Sequence, residues 1–147
     1  MGEIIRMTDL KRLDGWRARF DAACDTMRSE PFSWGENDCA VGLVGNLTLA
    51  LTGADLAAPW RGRYTTAIGA LRVLRHDGFA DLGALAASIL PECHIARARI
   101  GDIAAIPSED GFGFALGVVN GERIFVLTDA GFGTVDLMTA KRAFRVG

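Results

Sequence analysis

The residues of this chain with side chains fit for covalent or acid–base chemistry are three cysteines, two histidines and a scatter of carboxylates. Cys39 has the most suggestive setting. It follows Trp34-Gly35-Glu36-Asn37-Asp38 and precedes an apolar run of Val41, Leu43, Val44, Leu47, Leu49, Ala50 and Leu51 that stops at Gly53. Trp-Gly is a turn signal, Asn37 or Asp38 is a good N-cap and Gly53 a good C-cap, so the spacing predicts a helix with Cys39 in its first turn. A thiol there lies among unpaired backbone N–H groups at the positive end of the helix dipole. That setting favours the thiolate and could steady an oxyanion. The competing reading is that Cys39 is a small buried hydrophobe, the usual condition of a free cysteine.

A catalytic thiol needs a base to take its proton. The two histidines are His76 and His94. His76 falls at the end of a predicted helix, where a cation near the C-terminus is ordinary dipole complementation. His94 follows Cys93 just before the strand-rich part of the chain, and approaches Cys39 only if residues 91–100 fold back over the site. Asp102, Asp129 and Asp136 read as turn or strand-face residues. No serine sits in a nucleophile elbow, and the spacing of His and Cys suits no metal. The cysteines, Cys24, Cys39 and Cys93, are odd in number and never spaced C-x-x-C. That argues against a disulfide framework or zinc site and suits a reducing compartment. No metal or cofactor is expected.

The elements that must position these residues follow from periodicity and turn signals. At 147 residues, half of them apolar and 23% charged, the chain suits one domain spanning 1–147 with an adequate core. Its formal charge of −2 argues against a nucleic-acid surface or an anionic-membrane binder. No apolar run approaches the ~20 residues of a membrane span, and no signal-peptide pattern opens the chain. Thr8 or Asp9 can cap a first helix carrying Leu10, Leu13, Phe20, Ala23 and Met27 on one face. Residues 29–31 end it. After Gly53 and a connection comes Trp60-Arg61-Gly62-Arg63-Tyr64, where aromatic and basic residues interleave, as in a packed turn whose guanidiniums stack or pair locally. A helix is predicted from an N-cap at Thr65 or Thr66 to near Gly78, and a shorter one over 81–90. The rest is strand-like: 100–107, 114–119, 122–127 and 134–138. Asn120-Gly121 marks a hairpin, and a short tail closes the chain. Helices first and an antiparallel meander afterwards predict an α+β domain.

Asp38-Cys39 at a helix start, then Gly101-Asp102-Ile103, then Leu116-Gly117-Val118-Val119 before a hairpin, form an ordered set. It resembles the NlpC/P60 family of papain-like cysteine peptidases, which cut peptidoglycan stem peptides, over about residues 34–127. The resemblance implies a papain-like α+β fold, with N-terminal helices packed on a small antiparallel sheet. It implies Cys39 as nucleophile, Asp38 as its acidic neighbour and Gly101-Asp102 as the turn into the first sheet strand. The family's histidine falls on Ala115. Trp-Gly-x-x-Asp-Cys and Trp60-Arg-Gly-Arg-Tyr64 look more closely like small proteins encoded in phage and prophage tail regions, which are similar to NlpC/P60 domains.

Two functions follow as expectations. One is a structural or interaction module of a phage-type tail tip, on a cysteine-peptidase scaffold without its general base. Its partners would be other tail-tip proteins, with Trp60, Arg61, Arg63 and Tyr64 as contact residues, and its location the virion. The alternative is an active peptidoglycan peptidase or amidase using Cys39 with Asp38 and His94, or with a histidine from a partner chain. Its ligands would be peptidoglycan peptides. Away from a phage the expected location is cytoplasmic. Neither reading involves nucleic acid or membrane insertion, and the histidine missing at residue 115 favours the first.

Overall fold

The computed structural model describes residues 10–147. The predicted caps Thr8 and Asp9 lie outside the described residues. Helix α1 spans Trp16–Ser29, so Leu10 and Leu13 come before it rather than within it. Its start is set by Gly15 at φ 72, a left-handed conformation that suits glycine, with no side-chain cap. Phe20, Cys24 and Met27 face the core from α1.

The central helix begins where the sequence places it, but its first turns are wider than α-helical. Residues Cys39–Val44 form a π-helical segment in which Leu43 N donates to Asp38 O at 2.9 Å, an i to i+5 bond. It runs directly into α2, Gly45–Thr52, which ends at Gly53 with φ 78. Helix α3, Ala67–His76, is capped by the Thr66 hydroxyl, and α4, Leu82–Ile89, by the Asp81 carboxylate. Both caps accept a backbone N–H that would otherwise be unpaired.

Six strands follow: β1 Glu92–Cys93, β2 Ile103–Pro107, β3 Phe114–Asn120, β4 Arg123–Thr128, β5 Gly131–Asp136 and β6 Arg142–Phe144. They make one antiparallel sheet in the order β1-β6-β2-β3-β4-β5. The chain is therefore not a simple meander. The residues expected to be a tail form β6, wedged between β1 and β2. The β3–β4 loop is Gly121-Glu122 rather than Asn120-Gly121, because Asn120 pairs with Arg123. Gly121 takes the positive φ of 69 there. The strand expected over 134–138 lies at Gly131–Asp136 and ends in a 3₁₀ turn, Leu137–Thr139.

Alternation along the strands separates two apolar layers. Ile103, Ala105, Leu116, Val118, Phe125 and Leu127 face the helices and pack with Phe20, Leu43, Leu47 and Leu51. Ala104, Val119 and Ile124 face the other way, under Ala140, Ile95 and Leu137. One irregularity of the sheet matters for the site. β2 pairs with β3 as far as Phe114, and β4 with β5 as far as Thr128. β3 and β4, however, pair only from Val118↔Phe125 to Asn120↔Arg123. Beyond those pairs the two strands part, and the sheet is forked.

Candidate functional site

Residues 35–38 form a tight turn whose hub is Asp38, 2% exposed. Its Oδ1 accepts from Ala40 N at 3.1 Å and Val41 N at 2.8 Å. Its Oδ2 accepts from Gly35 N at 2.9 Å and from the Tyr64 hydroxyl at 2.6 Å. Two aspects of the sequence pattern thereby gain a reason. Asp38 is the N-cap, with four hydrogen bonds to satisfy a buried carboxylate. Gly35, at φ 85, has no room for a Cβ because the Tyr64 carbonyl lies against it, and Gly62 N donates to Gly35 O at 2.9 Å. Trp-Gly-x-x-Asp-Cys and Trp-Arg-Gly-Arg-Tyr are thus two halves of one interlocked unit.

The second half forms an internal clasp. Arg61 Nε and Nη2 donate to Asp55 at 3.0 Å each, and Nη2 also reaches Asn46 Oδ1 at 3.1 Å. Arg63 holds Asp77 through bonds of 2.8 and 3.1 Å, and Trp60 Nε1 donates to the same carboxylate at 2.8 Å. Both guanidiniums expected to meet another chain are paired within this one. The planar fork of Arg suits such bidentate pairing. Arg63 and Trp60 hold the Asp77 carboxyl down to about 2, mainly by these hydrogen bonds. The clasp delivers Tyr64 to Asp38, and burial with the adjacent carboxylate raises the phenol far above its ordinary value.

Cys39, half-buried, opens onto a cavity of about 520 Å³ at the fork between β3 and β4. Beside β2, Val119 N donates to Asp102 O at 2.8 Å and Val119 O accepts from Gly101 N at 2.9 Å. By alternation, the polar groups of Leu116 point the other way, into the fork where β4 offers no partner. The Leu116 amide is directed at the Cys39 sulfur. Even so, the thiol is pushed up to about 12, first by burial, then by the nearby carboxylates of Asp38 and Asp110. The expectation of a thiolate steadied by the helix start is therefore reversed. The Ala40 and Val41 N–H groups are taken by the Asp38 cap, and its charge offsets the dipole.

Ala115 lines the same cavity. It stands on the sheet face opposite Leu116, opposite Ile106 in the register, so it meets the cavity through the fork rather than across the helix–sheet interface. His94 does not join the site. It follows the edge strand β1, is exposed, and its Nδ1 accepts from Ala96 N at 3.1 Å in a local turn. Two strands separate β1 from β3, which puts them roughly 14 Å apart. His76 is exposed at the end of α3, with Nδ1 3.8 Å from Asp77 Oδ1. Neither histidine lines the cavity. Among the described residues no three His, Cys, Asp or Glu side chains gather as metal ligands.

The sequence reading missed the other walls. Trp34 stacks on Phe112 at 5.9 Å and 15°, and Phe32 meets Trp34 edge-on at 5.0 Å. Phe112 is carried by the Gly111-Phe112-Gly113 loop, whose glycines have φ of 94 and 74. The only available signal was that loop's Gly-Phe-Gly pattern beside a strand.

A family model described as a domain of unknown function (DUF6950) matches residues 11–146. The chain belongs to the DUF6950 family. No curated protein matches this DUF6950 chain. Among solved structures it is similar to the NlpC/p60 domain of the peptidoglycan hydrolase SagA, with a TM-score of 0.52 at 15% identity. The likeness covers 87% of this DUF6950 chain and 97% of that one. At that identity it shows the fold, a papain-like α+β domain with its helices against an antiparallel sheet.

Proposed function

We propose that this protein is a binding module on an NlpC/P60-like cysteine-peptidase scaffold, serving at a phage-type tail tip without peptidase chemistry. The observation that carries the reading is that no imidazole reaches the cavity of Cys39, although the chain has two histidines. A thiol pushed up to about 12 is protonated at neutral pH and is a poor nucleophile. Asp38, the acidic neighbour, is fully engaged as a cap. Fold likeness to a hydrolase domain does not carry activity without its acid–base groups. The tail-tip setting, and other tail-tip proteins as partners, rest on the likeness of the 34–39 and 60–64 segments to phage tail-region proteins. The test is incubation with purified peptidoglycan. No muropeptide should appear above a Cys39→Ala control, and Cys39-dependent release refutes the reading.

One observation favours the alternative of an active peptidase or amidase: Cys39 sits at a helix start, beside a backbone amide, in an accessible cavity. With His94 at the far edge of the sheet, that reading needs an imidazole from a partner chain.

A further inference from the structure

The cavity beside Cys39 has a one-sided charge. Among the described residues its lining includes Asp38, Asp110 and Asp129 and no Lys, Arg or His. Asp38 is deep and already accepts four hydrogen bonds. Asp110 and Asp129 are exposed at the mouth. Asp110 uses Oδ1 for Phe112 N at 3.1 Å, and among the described residues Asp129 has no hydrogen-bond or ion-pair partner. Between mouth and floor the walls are apolar and aromatic, including Trp34, Trp60, Phe112 and Phe114. Its volume, about 520 Å³, is that of a small-molecule site. Aromatic faces attract cations, carboxylates at the rim attract them further, and both repel an anion.

We propose that this cavity binds a small organic cation: an apolar body seated among Trp34, Trp60 and Phe112, with a protonated amine at Asp110 and Asp129. The inference rests on reading the site as one that binds rather than cleaves, and it names the ligand class. The carboxylates at the mouth select charge. The apolar walls supply affinity, and the closed register of β2–β3 on one side and β4–β5 on the other fixes the width.

The test uses three probes of one shape: 4-phenylbutylamine, 4-phenylbutan-1-ol and 4-phenylbutyrate. Binding is followed by calorimetry and by the change in tryptophan fluorescence, to which Trp16, remote from the cavity lining, adds a constant background. The amine should bind roughly five- to tenfold tighter than the alcohol at low salt, with the carboxylate weakest. Asp110→Asn/Asp129→Asn should bring the amine to the level of the alcohol and leave the alcohol unchanged. Asn at 110 retains the acceptor for Phe112 N, so the loop is preserved. Ala115→Phe, filling the fork, should abolish binding of amine and alcohol alike. Equal affinity for amine and carboxylate, no amine binding, or an amine preference that survives the double substitution overturns the inference. Muropeptide release is measured on the same preparations. Cys39-dependent release alongside amine selectivity sinks the non-catalytic reading alone, whereas no release and no selectivity sinks the ligand assignment alone.

Discussion

Cys39 shows how a cap can cancel what a helix start offers. Burial of the sulfur outweighs the Leu116 and Cys39 backbone groups that favour the thiolate, Asp38 holds the Ala40 and Val41 N–H groups, and the thiol keeps its proton. In a Cys24→Ala/Cys93→Ser background, iodoacetamide should label Cys39 slowly at pH 8. The rate should rise with pH through 10 without a plateau, since the thiolate is the reactive form. A plateau near pH 8 would show an ordinary or depressed pKa. The sign for stability follows. The native thiol is held at about 12 against ~8.5 unfolded, so the unfolded state ionises first and stability falls as pH rises from ~9 toward 12. Ala115→His tests the fork. An imidazole there shares the cavity with the thiol and should move the labelling profile toward acid. An unchanged profile in a folded variant would mean that residue 115 and Cys39 do not meet.

At the scale of elements, the π-helical start and the 60–64 clasp are the two devices that shape the site. Leu43 and Leu47 are fully buried on the central helix. Replacing either with Ala should cost about 2–5 kcal/mol by denaturant titration, far more than Cys39→Ala. Gly42 has a different constraint: a Cβ there would lie 2.6 Å from Asn37 Cα and against its side-chain oxygen. Gly42→Ala should therefore cost about 1–3 kcal/mol by pushing the 35–38 turn off the helix. The clasp gives an acid-sensitive term. Asp77 is held at about 2 against ~3.9 unfolded, so its contribution is complete above about pH 5 and is lost as pH falls toward 2. Asp77→Asn should flatten that limb of the stability curve, and an undiminished acid limb would place the effect elsewhere.

For the whole molecule, closure depends on Asp102, which is fully buried. Its Oδ1 accepts from Arg12 Nη2 at 3.2 Å and Val146 N at 3.0 Å, and its Oδ2 from Arg99 N at 2.8 Å. Arg12 also donates to Ile100 O at 2.7 Å and Val146 O at 2.9 Å, and lies over the Trp16 ring. One ion pair thus joins the segment before α1, the turn into β2 and the end of the chain. Asp102→Ala should cost about 3–5 kcal/mol in thermal or chemical unfolding, because it leaves the Arg12 guanidinium without its counter-charge. A loss below 1 kcal/mol would mean that water replaces the carboxylate. Among the described residues no helix is long and apolar enough to cross a membrane.

The sequence by itself determined the features that depend on near neighbours. A cap at Asn37 or Asp38, another at Thr65 or Thr66, the Gly53 stop, α4 behind Asp81 and strands β2, β3 and β4 follow from local propensity and turn chemistry, and the fold takes Asp38 and Thr66 from the two pairs. Only the tertiary structure decided the rest. The three residues of β6 have too little pattern to be read as a strand and gain their identity by pairing with β1 and β2. The fork between β3 and β4 has no local signature, since it is the absence of pairing between two well-formed strands. By sequence alone the arginines of the clasp could pair locally or meet another chain, and only the fold supplies their partners, Asp55 and Asp77. The Cys39 proton depends on both: a cap legible in the sequence, and a burial that exists only once helix and sheet have packed.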